Sequence, residues 1–210
     1  MKRATQSAFY PLLIAVLLFS GFAKAELKAS PPKTIEEMEA YTAVITDDYK
    51  KAVPLLESMA AKGNPVAQSV LGQYYLKGLG VKKDYFKAEQ LLEKASAQGD
   101  SESTYTIGVM YELGIGVTKN SVRGTHLLVL AAEQGSKKAP PILAAKYFDG
   151  VGAPKDNVSA HVWANIGAAL GDDKSKSLRD SLENSMSKEE LIEARRIARE
   201  WFAKHPADGK

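Results

Sequence analysis

The sequence predicts an all-α protein, a superhelix of antiparallel helix pairs, and three observations predict it. Shifting the 210-residue chain by about 36 positions aligns it with itself: Gly72, Gly108 and Ala144 coincide, as do Tyr75, Tyr111 and Tyr147, and Gly78, Gly114 and Gly150. A period of that size marks stacked supersecondary units. Within one unit Ala67, Val70, Leu71, Tyr74 and Tyr75 recur at helical spacing, and Tyr85, Ala88, Leu91, Leu92 and Ala95 do so again, so each unit holds two helices. The punctuation agrees. Asn64, Asp100, Ser136 and Asp172 stand at one equivalent position and Asp48, Asp84, Asn120 and Asp156 at another, all residue types whose short side chain caps a free first-turn amide. Gly63, Gly99, Gly135 and Gly171 stand where each second helix must end in left-handed backbone.

In chain order, residues 1–25 have the pattern of a Sec-type signal peptide. Lys2 and Arg3 precede an apolar run of about fifteen residues, Ala8 to Phe22, and Ala23-Lys24-Ala25 follows at the cleavage spacing, so cleavage is expected after Ala25. The run is shorter than the roughly twenty residues of a spanning helix, and Pro11 interrupts it, so the mature form is expected to carry no integral membrane span; a leader retained as an anchor is the alternative. The expected location is the bacterial periplasm, with secretion as the other outcome. Removing Lys2, Arg3 and Lys24 takes Lys plus Arg from 28 to 25, against 25 Asp plus Glu, so the mature chain is balanced and its charge gives no reason to expect nucleic acid as a partner. The absence of cysteine excludes disulfides, a thiolate nucleophile and a thiolate metal site.

Residues 26–33 read as a linker. Thr34-Ile35-Glu36-Glu37 is a capping box opening a helix to about Ile45, which pairs with the helix begun by Asp48 to give a degenerate pair over 34–63. Full repeats follow at 64–99, 100–135 and 136–171. Residues 172–205 supply capping helices: Asp172 opens one carrying Leu178, Leu182 and Met186, and Ser187-Lys188-Glu189-Glu190 is a second capping box opening a final amphipathic helix that ends near His205-Pro206. Its charged face suits the end of a solenoid.

Three glycine pairs, Gly78/Gly80, Gly114/Gly116 and Gly150/Gly152, look at first like phosphate cradles. A dinucleotide fingerprint needs a third glycine and a preceding strand, and each pair here lacks that glycine and follows a helix. They are expected to be joints: the first glycine ends one helix and the second lets the chain double back toward the next cap. Gly72 and Gly108 are replaced by Ala144, so that site needs smallness rather than positive φ. The pattern Ala67, Leu71, Gly72, Tyr75, Gly78, Gly80, Val81, Asp84, Lys87 and Ala88 resembles the Sel-one-like repeat family, a variant of the tetratricopeptide solenoid, across roughly residues 45–171. The resemblance implies a right-handed solenoid. Departures are Ser103 and Gly124 where the pattern has Ala, and Pro140-Pro141 inside a first helix, which should kink or delay it.

No catalytic, cofactor or metal residues are expected. His126, His161 and His205 show no metal-ligand spacing, no Gly-x-Ser-x-Gly surrounds a serine, and paired carboxylates such as Glu189-Glu190 lie in first turns where the helix dipole accounts for them. Lys83, Lys119 and Lys155 occupy one repeat position and can form a basic row able to take an anion. The resemblance implies an inner surface made by first-helix residues beside the shared core. At matching positions these include Val66, Ser69, Gln73, Leu76 and Lys77; Glu102, Tyr105, Val109, Glu112 and Leu113; and Lys138, Pro141, Ala145, Phe148 and Asp149. The partner-binding residues expected among them are Gln73, Lys77, Glu102, Tyr105, Glu112, Lys138, Phe148 and Asp149. Members of the family often act as adaptors in envelope assembly, motility, secretion or signalling, so the leading expectation is a non-enzymatic module holding a protein or peptide on its concave face. The competing expectation is an envelope enzyme or glycan binder acting on peptidoglycan, drawing on Glu102, Glu112 and Asp149. Homo-oligomerisation through a terminal helix or edge is a third arrangement.

Overall fold

A computed structural model describes residues 32–206; the expected leader and cleavage site lie outside them. Among the described residues there are ten helices and no strand: α1 (Ile35–Ile45), α2 (Tyr49–Ala61), α3 (Pro65–Lys77), α4 (Tyr85–Ser96), α5 (Ser101–Leu113), α6 (Ser121–Glu133), α7 (Ala139–Asp149), α8 (Asn157–Ala169), α9 (Asp173–Ser185) and α10 (Lys188–Lys204). None is long and apolar enough to cross a membrane. The chain divides into two compact units, one ending at Asp84 and the other starting at Tyr85.

The first unit packs α1, α2 and α3 around Ala40, Tyr41, Ala52, Leu56, Met59, Ala67, Leu71 and Tyr74. Thr34 and Glu37 form the expected capping box. The α1–α2 connection has no glycine loop; Asp47 takes the left-handed conformation there, with φ 54°. Pro54 inside α2 removes one backbone donor, on an exposed face. Asn64 caps α3 through Ala67 N at 3.0 Å, and Pro65 takes the first helical position, where its missing N–H costs nothing.

The second unit stacks α4 to α9 in sequence, each helix against the next, with α10 packed onto α8. Its core joins Leu128, Leu143, Ala160, Trp163, Ile166, Leu182, Ala194 and Ala198. Asp100, Asn120, Asp156, Asp172 and Ser187 cap their helices as expected. Ser136 does not: α7 begins at Ala139, its cap position is Lys138 without a side-chain bond, and Ser136 Oγ accepts only from Lys138 N at 3.3 Å. Pro140 and Pro141 account for this, since they fit the first turn of a helix but not its interior, and so delay the start. The capping helices stand against repeat 3 through Trp201, whose ring lies edge-on to Trp163 at 6.5 Å and stacks on His205 at 4.2 Å.

Candidate functional site

The glycine pairs are structural joints. Gly78, Gly114 and Gly150 adopt φ of 77°, 72° and 75° and end α3, α5 and α7. Their amides and those of the next residue donate to one carbonyl in each case: Gly78 and Leu79 to Tyr74, Gly114 and Ile115 to Met110, Gly150 and Val151 to Lys146. Loop amides spent in this way close the helix instead of gripping a phosphate. The second glycine has a reason that sequence reasoning missed. A Cβ on Gly80 would come 2.4 Å from Tyr49 Cβ, on Gly116 2.2 Å from Tyr85 Cβ, and on Gly152 2.5 Å from Ser121 O. Each loop therefore lies directly on the first turn of the second helix one unit earlier. The lysines after each loop fold back over it, with the β-carbons of Lys83, Lys119 and Lys155 at 3.5, 3.3 and 3.2 Å from where a Cβ on the first glycine would sit.

The expected partner-binding residues separate into three groups. Glu102, Tyr105 and Lys138 come together: Lys138 Nζ lies 2.6 Å from Glu102 Oε1 and 5.6 Å from the Tyr105 ring centre, so adjacent repeats share one surface cluster. Lys77, Phe148 and Asp149 lie in the last turns of their helices and are exposed, Phe148 beneath the Lys155 ammonium at 5.3 Å. Gln73 and Glu112 are not on an open face, which corrects the expectation for both. Gln73 is 7% exposed because α3 is buried continuously from Ala67 to Tyr74. Glu112 Oε1 lies 2.7 Å from Lys146 Nζ, with side chains 16% and 8% exposed, so its charge is spent inside the protein.

Between α7 and α9, the first helices of consecutive units, runs an open groove of about 570 Å³. Pro141, Ile142, Ala145 and Leu178 give it apolar walls, the stem of Lys146 forms part of its lining, and Asp149, Asp172 and Lys174 stand along it. Of these, Pro141, Ala145 and Asp149 were expected on the inner face. The α9 wall was not, since the repeat pattern stops before it. Ser175 holds Asp172 below the usual carboxylate range, its backbone N–H donating to Asp172 Oδ1 at 2.6 Å, which fixes it as the anionic cap of α9.

His161 is fully buried, its Nε2 3.2 Å from Glu183 Oε1, an oxygen that Arg195 also contacts at 3.2 Å. The hydrogen bond from His161, more than that from Arg195, draws the Glu183 carboxyl below its ordinary range. His205 faces the carbonyls of Trp201 and Glu133, and His126 is exposed on α6. The three rings thus serve separate places in the fold. The carboxylates a glycan-cleaving site would use are apart in role: Glu102 and Glu112 each pair with a lysine, and Asp149 borders the groove.

The Sel1 repeat pattern matches residues 65–100, 101–136 and 143–172. The third match starts just past Pro140-Pro141, where the helix was delayed. The crystal structure of a Sel1 repeat protein from Oxalobacter formigenes is similar at 32% identity with a TM-score of 0.56, covering 60% of this chain and 95% of that one. A protective antigen present in uropathogenic Escherichia coli strains, displaying an SLR fold, is similar at 29% identity and TM-score 0.62 over 74% of this chain; the match spans 33% of the antigen. No curated protein matches the sequence. With its helix pairs, its glycine joints and these matches, the chain belongs to the Sel1 repeat family, whose all-α repeat fold generally mediates protein–protein interaction and whose members are typically non-catalytic.

Proposed function

We propose that this chain is a non-enzymatic adaptor of the bacterial cell envelope that seats a segment of a protein or peptide partner in the groove between α7 and α9. The groove is the observation that carries the reading: apolar walls from Pro141, Ile142, Ala145 and Leu178 supply affinity, and the exposed charges of Asp149 and Lys174 at its margin orient what enters. The neighbouring cluster of Glu102, Tyr105 and Lys138 extends the same first-helix surface, with Tyr105 as an aromatic anchor. The leader pattern in residues 1–25 supports export.

Ala145 is exposed on α7, so Ala145→Trp fills the groove without entering the core. Chemical crosslinking of the mature protein in its native envelope should capture a defined partner, and capture should fall about ten-fold in the tryptophan variant while the thermal melt stays put. Equal capture by both forms would remove the groove from the proposal. Mass spectrometry of the periplasmic fraction should find a chain beginning at Glu26; an uncleaved chain confined to the cytoplasm would remove the envelope.

A further inference from the structure

We propose that Glu112, Lys146 and Gly124 are one matched set whose role is to fix the register in which repeat 3 stacks on repeat 2. The three residues interlock. Glu112 at the end of α5 and Lys146 in α7 form an ion pair of 2.7 Å between the repeats. A Cβ on Gly124 of α6 would meet Glu112 Oε1 at 2.5 Å and its Cγ at 2.8 Å, so the missing side chain is the space the carboxylate fills. A Cβ on Gly152 would stand 2.9 Å from Lys146 Nζ, which places the ammonium against the loop after α7.

The other repeats fill the same positions with apolar residues. One period earlier Glu112, Gly124 and Lys146 correspond to Leu76, Ala88 and Met110, and one period later to Phe148, Ala160 and Leu182. All three change together at one junction and at neither of the others. The three repeats otherwise share the helix-pair plan and the glycine joints, so a repeat can stack on the wrong neighbour, or on a second copy of the chain, with a similar shape. The buried charge pair distinguishes these arrangements. A mis-stacked repeat 3 would set Lys146 against Leu76 or Phe148, and a mis-stacked repeat 2 would set Glu112 against Met110 or Leu182. Either buries a charge without its partner, the penalty by which a polar pair enforces register in a repetitive interface.

The test uses the absence of cysteine. E102C and K138C, at the ends of α5 and α7 where the two side chains meet, are joined by a short bismaleimide, and intramolecular and intermolecular products are separated by mass. In that background E112L and K146M should each lower the urea midpoint. The triple variant E112L/G124A/K146M, which installs the residues found at 76, 88 and 110, should recover the midpoint while its intramolecular yield falls about two-fold or more, with dimers on size exclusion. A triple variant no more stable than the single ones would show that the residues are not a set. A triple variant that recovers its midpoint and keeps full intramolecular yield would show that they do not govern register.

Discussion

At the junction of repeats 2 and 3 a glutamate, a glycine and a lysine occupy the positions that Phe148, Ala160 and Leu182 occupy at the junction of repeat 3 with the capping helices. Leu182 is 1% exposed and Ala160 0%, and the core around them continues through Trp163 and Trp201. At the earlier junction the Lys146 side chain is 8% exposed. The difference teaches that equivalent repeat positions accept two solutions. The apolar one gains from burial, about 2 kcal/mol for a leucine. The ionic one must recover the desolvation of two charges and ends near neutral or worse against an apolar replacement, by about 1–4 kcal/mol. Its advantage lies in what it forbids.

The largest expected effect breaks the comparison by crossing it. Leu182→Lys puts an ammonium into the apolar slot with no carboxylate opposite, and should cost about 4–5 kcal/mol in urea unfolding. A loss under about 1 kcal/mol would mean that water reaches this slot and that the two junctions are alike.

A middle-sized effect contrasts the loop at the ionic junction with the turn beside the apolar one. Gly152 has φ 77° and no room for a Cβ, between Ser121 O and Lys146 Nζ, whereas Gly171 has φ 93° and open space around it. Gly171→Ala should therefore show backbone strain alone, about 1 kcal/mol, and Gly152→Ala strain plus collision, about 3 kcal/mol. Equal losses would deny that the loop seats on α6.

The smallest effect is in acid and belongs to the capping side. Glu183 is depressed by the His161 hydrogen bond and then by Arg195. A carboxylate whose folded-state pKa is lowered contributes stability above its unfolded value of about 4.3, and that contribution is lost as pH falls through the folded value. The urea midpoint should drop between pH 5 and 3, and less in E183Q, to about pH-insensitive levels for this group. The side chain is 35% exposed, so solvent screens the effect. An identical acid slope in E183Q would assign the loss elsewhere.

Much of the fold was legible because helix pairs announce themselves three times over. Asn64, Asp100 and Asp172 cap where their equivalence says, and Gly78, Gly114 and Gly150 turn left-handed where the first helix must stop. Ser136 was misread because equivalence by period outranked the local veto of Pro140-Pro141. The site was less legible. A first helix in such a stack has neighbours on several sides, so spacing cannot distinguish Gln73 in a buried seam from Lys77 at the surface. Glu112 looked like an exposed carboxylate because its partner occupies a position that is methionine one repeat earlier, and nothing in a single sequence pairs residues across a fold. Gly124, noted as a departure from alanine, was the available clue. The far wall of the groove comes from α9, whose sequence lacks the repeat pattern altogether.

The seating of Gly80, Gly116 and Gly152 on residues 49, 85 and 121 has a consequence for how such a protein can grow. The first helix and loop that lead up to each of these glycines, over 65–80, 101–116 and 139–152, work as a ruler of fixed length, and adding or deleting one amino acid within them would slide a bulkier residue into a gap that admits only hydrogen. The turns at Gly63, Gly99, Gly135 and Gly171 meet no such obstacle. Tolerated length variation should therefore gather at those four corners, and lengthening elsewhere should proceed by whole modules.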